Sequence, residues 1–183
     1  MENKFAQLTT DTNQVGKDIL KFRVDFYNES LFKNFVNTEV ESLFNNYKDV
    51  CITGYFSDGI AKILTKNLKG LNTNVGIITQ EHNLQNKRDR QNLASLRKIQ
   101  DAGVEIIVNQ RVHCRMFLCR LEEYQGLLVL GSFDFNKEGM NEERRDAGIF
   151  TQHPDLVESS FKFFNEIWED RYDSTPLNEM YPP

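Results

Sequence analysis

With 183 residues, of which 39% are hydrophobic and 27% charged, the chain has the length of one domain and enough apolar material to bury its own core. Its 14 Phe and 6 Tyr supply bulky interior side chains, and 10 Gly with 4 Pro are too few for a low-complexity chain. The formal net charge of -5 excludes a body coated in basic residues for sequence-independent nucleic-acid binding, although an acidic body can still carry a local basic cleft.

Cys51, Cys114 and Cys119 are an odd number, show no Cys-x-x-Cys spacing and sit inside apolar runs, which fits a reduced, cytoplasmic setting. No stretch approaches the roughly 18 consecutive apolar residues of a membrane span. The polar start, Met1 to Lys17, also lacks the apolar region of a secretion signal, so a soluble protein without a membrane partner is expected.

Along the chain, residues 1–20 are a polar N-terminal segment, residues 21–172 carry the periodic patterns of one α/β domain, and residues 173–183, with Pro176, Pro182 and Pro183, read as a frayed tail. Phe22 to Tyr27 has the pattern of a short strand. From Ser30 to Tyr47 the apolar residues Leu31, Phe32, Phe35, Val36, Val40, Leu43 and Phe44 fall on one stripe of an amphipathic helix. Val50 to Phe56 is a strand, and Ser57 and Asp58 are suited to cap a helix running to about Leu68. Val75 to Thr79 follows as a buried strand. A charged loop over residues 80–91, containing His82 and Lys87-Arg88-Asp89-Arg90, leads into a helix closed by Gly103, and Val104 to Val108 is the next strand. Strand, helix, strand, helix, strand predicts right-handed crossovers and a parallel sheet.

Val112 to Arg120 and Leu127 to Phe135 are strand-like runs joined by a hairpin-length connection, suited to antiparallel pairing. Asp146 to Thr151 is one more strand. His153-Pro154-Asp155 opens a helix whose stripe, Leu156, Val157, Ser160, Phe163, Phe164, Ile167 and Trp168, is expected to pack on the core.

The chemistry concentrates in three pieces: His113-Cys114-Arg115, Gly131-Ser132-Phe133-Asp134-Phe135 and Arg144-Arg145-Asp146. Strand alternation places His113 and Arg115 on one face about 7 Å apart, with Phe117 and Cys119, and leaves Cys114, Met116, Leu118 and Arg120 on the other. Ser132 and Asp134 share a face by the same parity, and Gly131 lets a ligand approach the backbone. Imidazole as nucleophile or proton carrier, guanidinium against phosphate, hydroxyl as oxygen ligand and carboxylate to orient the imidazole together suit a phosphodiester. His82 is read as an exposed loop residue and His153 as a helix start. Cys114 and Cys119, on opposite faces of one strand, are read as packing residues, and Lys87-Arg88-Asp89-Arg90 as solvated. Arg144 and Arg145 are candidates for binding phosphate or for surface ion pairs.

His113-x-Arg115, then Gly131-Ser132-x-Asp134, then Asp146 resembles the signature of the phospholipase D superfamily, His-x-Lys-x-x-x-x-Asp followed by Gly-Ser-x-Asn and a later Glu. Four positions depart from it: Arg115 stands for Lys, Arg120 for Asp, Asp134 for Asn and Asp146 for Glu. The resemblance, over roughly Ser30 to Asp170, implies a phospholipase D-like α/β domain with a mixed sheet flanked by helices on both faces. It implies a phosphodiesterase that needs no metal or cofactor and acts through a phosphohistidine, more suited to a nuclease than a lipase. His113, Arg115, Ser132, Asp134 and Asp146 become the catalytic set, and Arg115, Ser132, Arg144 and Arg145 the substrate-binding set. Because one motif supplies one histidine and the family's mechanism uses two, a homodimer with the motifs facing across a twofold axis is expected. The substituted positions leave an alternative, a non-catalytic module that binds phosphate or nucleic acid or serves in a larger assembly.

Overall fold

Val50-Cys51-Ile52, Ile77-Ile78, Ile106-Ile107-Val108, Met116-Phe117-Leu118-Cys119 and Leu127-Leu128-Val129 are continuous apolar runs, the composition of strands covered on both faces. The computed structural model describes residues 24–28, 47–54, 61–62, 64–66, 73–122, 125–132 and 147–183. Among these residues eight strands form one mixed sheet: β1 Val24–Asn28, β2 Asp49–Thr53, β3 Asn74–Thr79, β4 Glu105–Asn109, β5 Arg115–Glu122, β6 Gln125–Gly131, β7 Ala147–Thr151 and β8 Ser174–Pro176. Their order across the sheet is β1-β7-β6-β5-β2-β3-β4-β8. As the crossover pattern predicts, β2, β3 and β4 run parallel. The other neighbours are antiparallel, including the β5–β6 hairpin.

Alternation along the strands divides the apolar residues between two cores. Val50, Ile52, Ile77, Ile106, Val108, Phe117, Cys119, Leu127 and Val129 meet Leu93, Leu96 and Ile99 of α1, Lys87–Asp101, together with Ala61 and Leu64 from helical residues 61–62 and 64–66. Cys51, Ile78, Met116, Leu118 and Leu128 meet Val157, Phe161 and Phe164 of α2, Pro154–Glu169. Helices thus flank the sheet on both faces, as the α/β reading expects. Each fully buried aliphatic or aromatic side chain contributes about 1.5–3 kcal/mol over its exposed state. Burial also pushes the Cys51 thiol up to about 12, with help from Asp49, and holds the Cys119 thiol well above its ordinary value, so both stay protonated packing residues.

The remaining expectations divide into those outside the described residues, those that hold and those that are corrected. The helix predicted from Ser30 and the cap at Ser57 and Asp58 fall outside the described residues, as do residues 1–20. Lys87-Arg88-Asp89-Arg90 is the exposed first turn of α1 rather than loop. Asn86 caps that turn by accepting from Arg88 N at 2.8 Å, and Asp89 Oδ2 accepts from Asn83 N at 2.7 Å, so the helix starts at Lys87, ahead of its first apolar residue, Leu93. At the other end Gly103, at φ +96, closes the helix as predicted. His153 is the N-cap of α2 and Pro154 lies in its first turn, also as predicted. The buried stripe of α2, however, is Val157, Phe161 and Phe164 with Ile167 and Trp168 beside it; Leu156 and Phe163 are 45% and 46% exposed. Positions 157, 161, 164 and 168 follow the i, i+4, i+7, i+11 rows of one helix face, whereas 156 and 163 lie a step around the cylinder.

The tail is not frayed. Ser174–Pro176 pairs with β4, Asn109 opposite Ser174, and the following short helix α3, Leu177–Met180, leads to Tyr181, with Leu177 and Tyr181 buried in the first core. A proline at the end of an edge strand leaves no ladder bond unmade, so Pro176 ends the sheet rather than disordering the chain. Arg97 Nη2 donates to the carbonyls of Tyr181 and Pro182 at 3.3 and 3.1 Å.

Tyr181 in turn covers His82, which is 4% exposed and not the solvated residue its polar loop suggested. The Tyr181 hydroxyl accepts from His82 N at 2.6 Å and donates to His82 O at 3.2 Å, and the two rings meet edge to face. Asn92 Nδ2 donates to His82 Nε2, a bond only a neutral imidazole accepts. Burial accordingly lowers the His82 pKa, against the opposing pull of Asp89 and of a bond to the Gln80 backbone. An unfolded histidine titrates near 6.5, so below about pH 6.5 the unfolded chain binds a proton that the folded chain refuses. Stability carried by neutral His82 is therefore present above that pH and lost as pH falls. The melting temperature is expected to drop between pH 7 and pH 5 more steeply for the native protein than for His82→Gln; equal slopes by calorimetry contradict the assignment.

Candidate functional site

All the candidate residues within the described set lie at one end of the sheet, where β2, β3, β4 and β6 finish and β5 and β7 begin. Arg115 opens β5 and is paired across the ladder with Gly131, the last residue of β6. Antiparallel partners have Cα atoms about 4.5–5.5 Å apart, so the His113-Cys114-Arg115 segment and Gly131-Ser132 are neighbours. Ser132, exposed just beyond β6, donates its N–H to Ala147 O at 3.1 Å, and its Oγ accepts from Ala147 N at 3.3 Å, which ties the end of β6 to the start of β7.

His113 differs from expectation in one respect: it precedes the strand instead of lying within it. Val112 to Cys114 leave the ladder because side chains take the backbone groups a strand neighbour would use. Asn109 Oδ1 accepts from the N–H of Arg111 and of Val112, each at 2.9 Å, and Thr53 Oγ1 donates to Cys114 O at 3.0 Å. The result is a pinned loop with an exposed imidazole at its tip. Arg115 Nη1 makes long contacts back to the carbonyls of His113, 3.5 Å, and Cys114, 3.4 Å. Thr53 and Asn109, both buried, are residues that sequence reasoning missed; a polar residue ending an otherwise apolar strand was the available signal, and all three parallel strands show it, at Thr53, Thr79 and Asn109.

Further along β5 the parity holds. Phe117 and Cys119 enter the first core, while Met116 and Leu118 enter the second, with Cys114 packed beside them. Asp134, Arg144, Arg145 and Asp146, together with Phe133 and Phe135, lie outside the described residues. Among the described residues there is no group of three His, Cys, Asp or Glu side chains placed to hold a metal ion. A cleft of about 460 Å³ opens at the opposite end of the sheet, beside Gly76, Arg120 and Trp168, and none of the candidate residues lines it.

Residues 45–168 match the family model described as cardiolipin synthase, PLD-like domain, which is more than half of the chain. The chain belongs to the phospholipase D superfamily. Among solved structures it is similar to Nuc from Salmonella typhimurium, a phospholipase D family member, with TM-score 0.62 and 15% identity over 85% of this chain and 96% of that one. It is similar also to NucT from Helicobacter pylori, with TM-score 0.57 and 12% identity over 81% and 96%. Phosphatidylserine synthase of Haemophilus influenzae matches with TM-score 0.59 and 18% identity, over 85% of this chain but 38% of its own. At these identities the likeness is one of fold. No curated protein matches the chain by sequence.

The phospholipase D superfamily motif carries an aspartate where this chain has Arg120, and the structure accounts for the exchange. Arg120 is the register partner of Asp49 on β2, and its Nε and Nη2 donate to Asp49 Oδ2 at 3.2 and 3.1 Å. Its guanidinium carbon lies 4.4 Å from the centre of the Phe161 ring, and Nη1 is 3.9 Å from Glu158 on α2. Five residues of extended chain, about 17 Å, separate it from Arg115. Arg120 therefore joins β5, β2 and α2 at the far end of the strand from His113. Among the described residues no helix is long and apolar enough to cross a membrane.

Proposed function

We propose that this protein is a phosphodiesterase that cleaves nucleic acid through a phosphohistidine intermediate, without a metal, as a homodimer. The observation that carries the reading is the Arg115–Gly131 register, which sets a histidine, a permanent cation and a serine hydroxyl at the same sheet end. His113 attacks phosphorus, the phosphorus–oxygen bond to the leaving group breaks, and the leaving oxygen takes a proton from the partner subunit's His113. Water then attacks the phosphohistidine, giving up a proton to that second imidazole as the phosphorus–nitrogen bond breaks; the phosphomonoester leaves and both histidines return to their starting states. Arg115 neutralises charge that builds on the non-bridging oxygens, and Ser132 donates its hydroxyl hydrogen to one of them. Asp134 and Asp146 orient the imidazole and guanidinium, and Arg144 and Arg145 bind neighbouring phosphates.

Superfamily membership and the likeness in fold to Nuc and NucT support this reading. The rival reading, an anion-binding module without turnover, draws support from the four altered motif positions. Two measurements separate them. Orthovanadate or phosphate at about a hundred times its Kd adds about 2.7 kcal/mol to the stability of a protein that binds it, and both readings expect that rise. Hydrolysis of bis(p-nitrophenyl) phosphate in EDTA is expected only of the enzyme. Sedimentation at micromolar concentration should show a dimer; a monomer with undiminished turnover overturns the two-histidine mechanism.

A further inference from the structure

Extending that reading, and resting on it for its catalytic consequence, we infer that Ser174 in the C-terminal segment is a positioning residue: acting through Asn109, it sets the conformation of the loop that presents His113. Asn109 ends β4 with 3% of its surface exposed. Its Oδ1 accepts from two consecutive backbone N–H groups, those of Arg111 and Val112, and its Nδ2 donates to Ser174 Oγ at 2.8 Å. Ser174 Oγ donates its single hydrogen to Ile167 O at 2.6 Å. With that hydrogen committed to Ile167, the Ser174 oxygen is left as an acceptor, so only the nitrogen of the Asn109 amide can face it. The amide oxygen must then face the loop. Turned the other way, the amide would set its own hydrogens against two backbone N–H groups, leaving donors facing donors in a buried place.

Other bonds bracket the same loop from the same segment. Gln110 N donates to Asp173 O at 3.2 Å, and Arg111 Nε lies 3.0 Å from Asp173 Oδ2. Arg111 is largely exposed, so its ion pair is screened and the neutral Ser174–Asn109 relay is the stronger constraint. The chain closes on itself: α2 supplies the Ile167 carbonyl, the residues after it supply Ser174, and β4 supplies Asn109, whose side chain dictates where Val112 and therefore His113 stand. A shift of about 1 Å in a reacting group is enough to cost about a hundredfold in rate, which is why such a relay matters to chemistry and not only to stability.

The test compares Ser174→Ala and Ser174→Thr with the native protein at a temperature well below melting. Ser174→Ala is expected to lower kcat on bis(p-nitrophenyl) phosphate about tenfold with KM held within about twofold, and Ser174→Thr, which keeps the hydroxyl, to restore it. Independently of turnover, the rate of carbethoxylation of His113 by diethyl pyrocarbonate, read by peptide mass spectrometry, should change at least about threefold in Ser174→Ala and return in Ser174→Thr. A native protein with no turnover removes the enzymatic reading, while the carbethoxylation comparison still decides whether Ser174 governs the presentation of His113. Unchanged His113 modification in Ser174→Ala overturns the inference, whatever the activity.

Discussion

His113→Ala is expected to lower hydrolysis of an aryl phosphodiester in EDTA by about a thousandfold or more, leaving the melting temperature almost unmoved. In the proposed mechanism one imidazole is the nucleophile and the same residue of the partner subunit is the proton donor, so a single substitution removes both roles at each site. General acid–base catalysis alone contributes about a hundredfold to ten-thousandfold, and loss of the nucleophile adds to that. The thermal control is informative because His113 is exposed on a loop held by Thr53 and Asn109 and not by its own ring. Substitutions at such positions change stability by within about 0.5 kcal/mol. A variant that keeps near-native hydrolysis would falsify the assignment of His113 as the nucleophile; one that loses activity by melting near the assay temperature shows instead that the loop is a folding element.

Phe117→Ala is expected to be the most damaging of the core truncations, at about 3–5 kcal/mol, a fall in melting temperature on the order of 10 °C. Phe117 is 1% exposed and sits in β5 with Ile52 opposite it on β2 and Val129 opposite it on β6. An interior strand cannot move into the vacated space without breaking one ladder or the other, so the cavity stays open and its full cost is felt. Phe163→Ala on the outer side of α2 is the matched control, since that ring is half exposed and its loss opens no cavity. Urea unfolding that places the two variants within about 1 kcal/mol of each other contradicts the packing described for β5.

The sequence made the strands of the centre visible because their runs are apolar throughout, and it made the alternation of Met116, Phe117, Leu118 and Cys119 between two cores visible because side chains in a strand take opposite faces at every step. It also placed Gly103 and Pro154 correctly, since each acts through its own backbone. The start of α1 was hidden because Asn86 and Asp89 cap it with polar groups that read as loop. His82 was hidden for a different reason: the ring that covers it belongs to Tyr181, 99 residues away.

The candidate site divides in the same way. That His113 and Arg115 occur together, with Gly131 and Ser132 a hairpin later, is a property of the order of residues. That Arg115 faces Gly131 is a property of the register, which the β5–β6 pairing sets and which no local pattern specifies. Composition, charge and periodicity by themselves determined an α/β chain with a buried central sheet and the residue types that phosphodiester chemistry needs. The tertiary structure alone decided that Arg120 ties β5 to β2 and α2, that His113 stands on a pinned loop, and that Ser174 reaches Asn109 across 65 residues of chain. The physical reason is that periodicity reports what one segment does with its own side chains, whereas a hydrogen bond between distant residues exists only once folding has brought donor and acceptor within about 3 Å of each other.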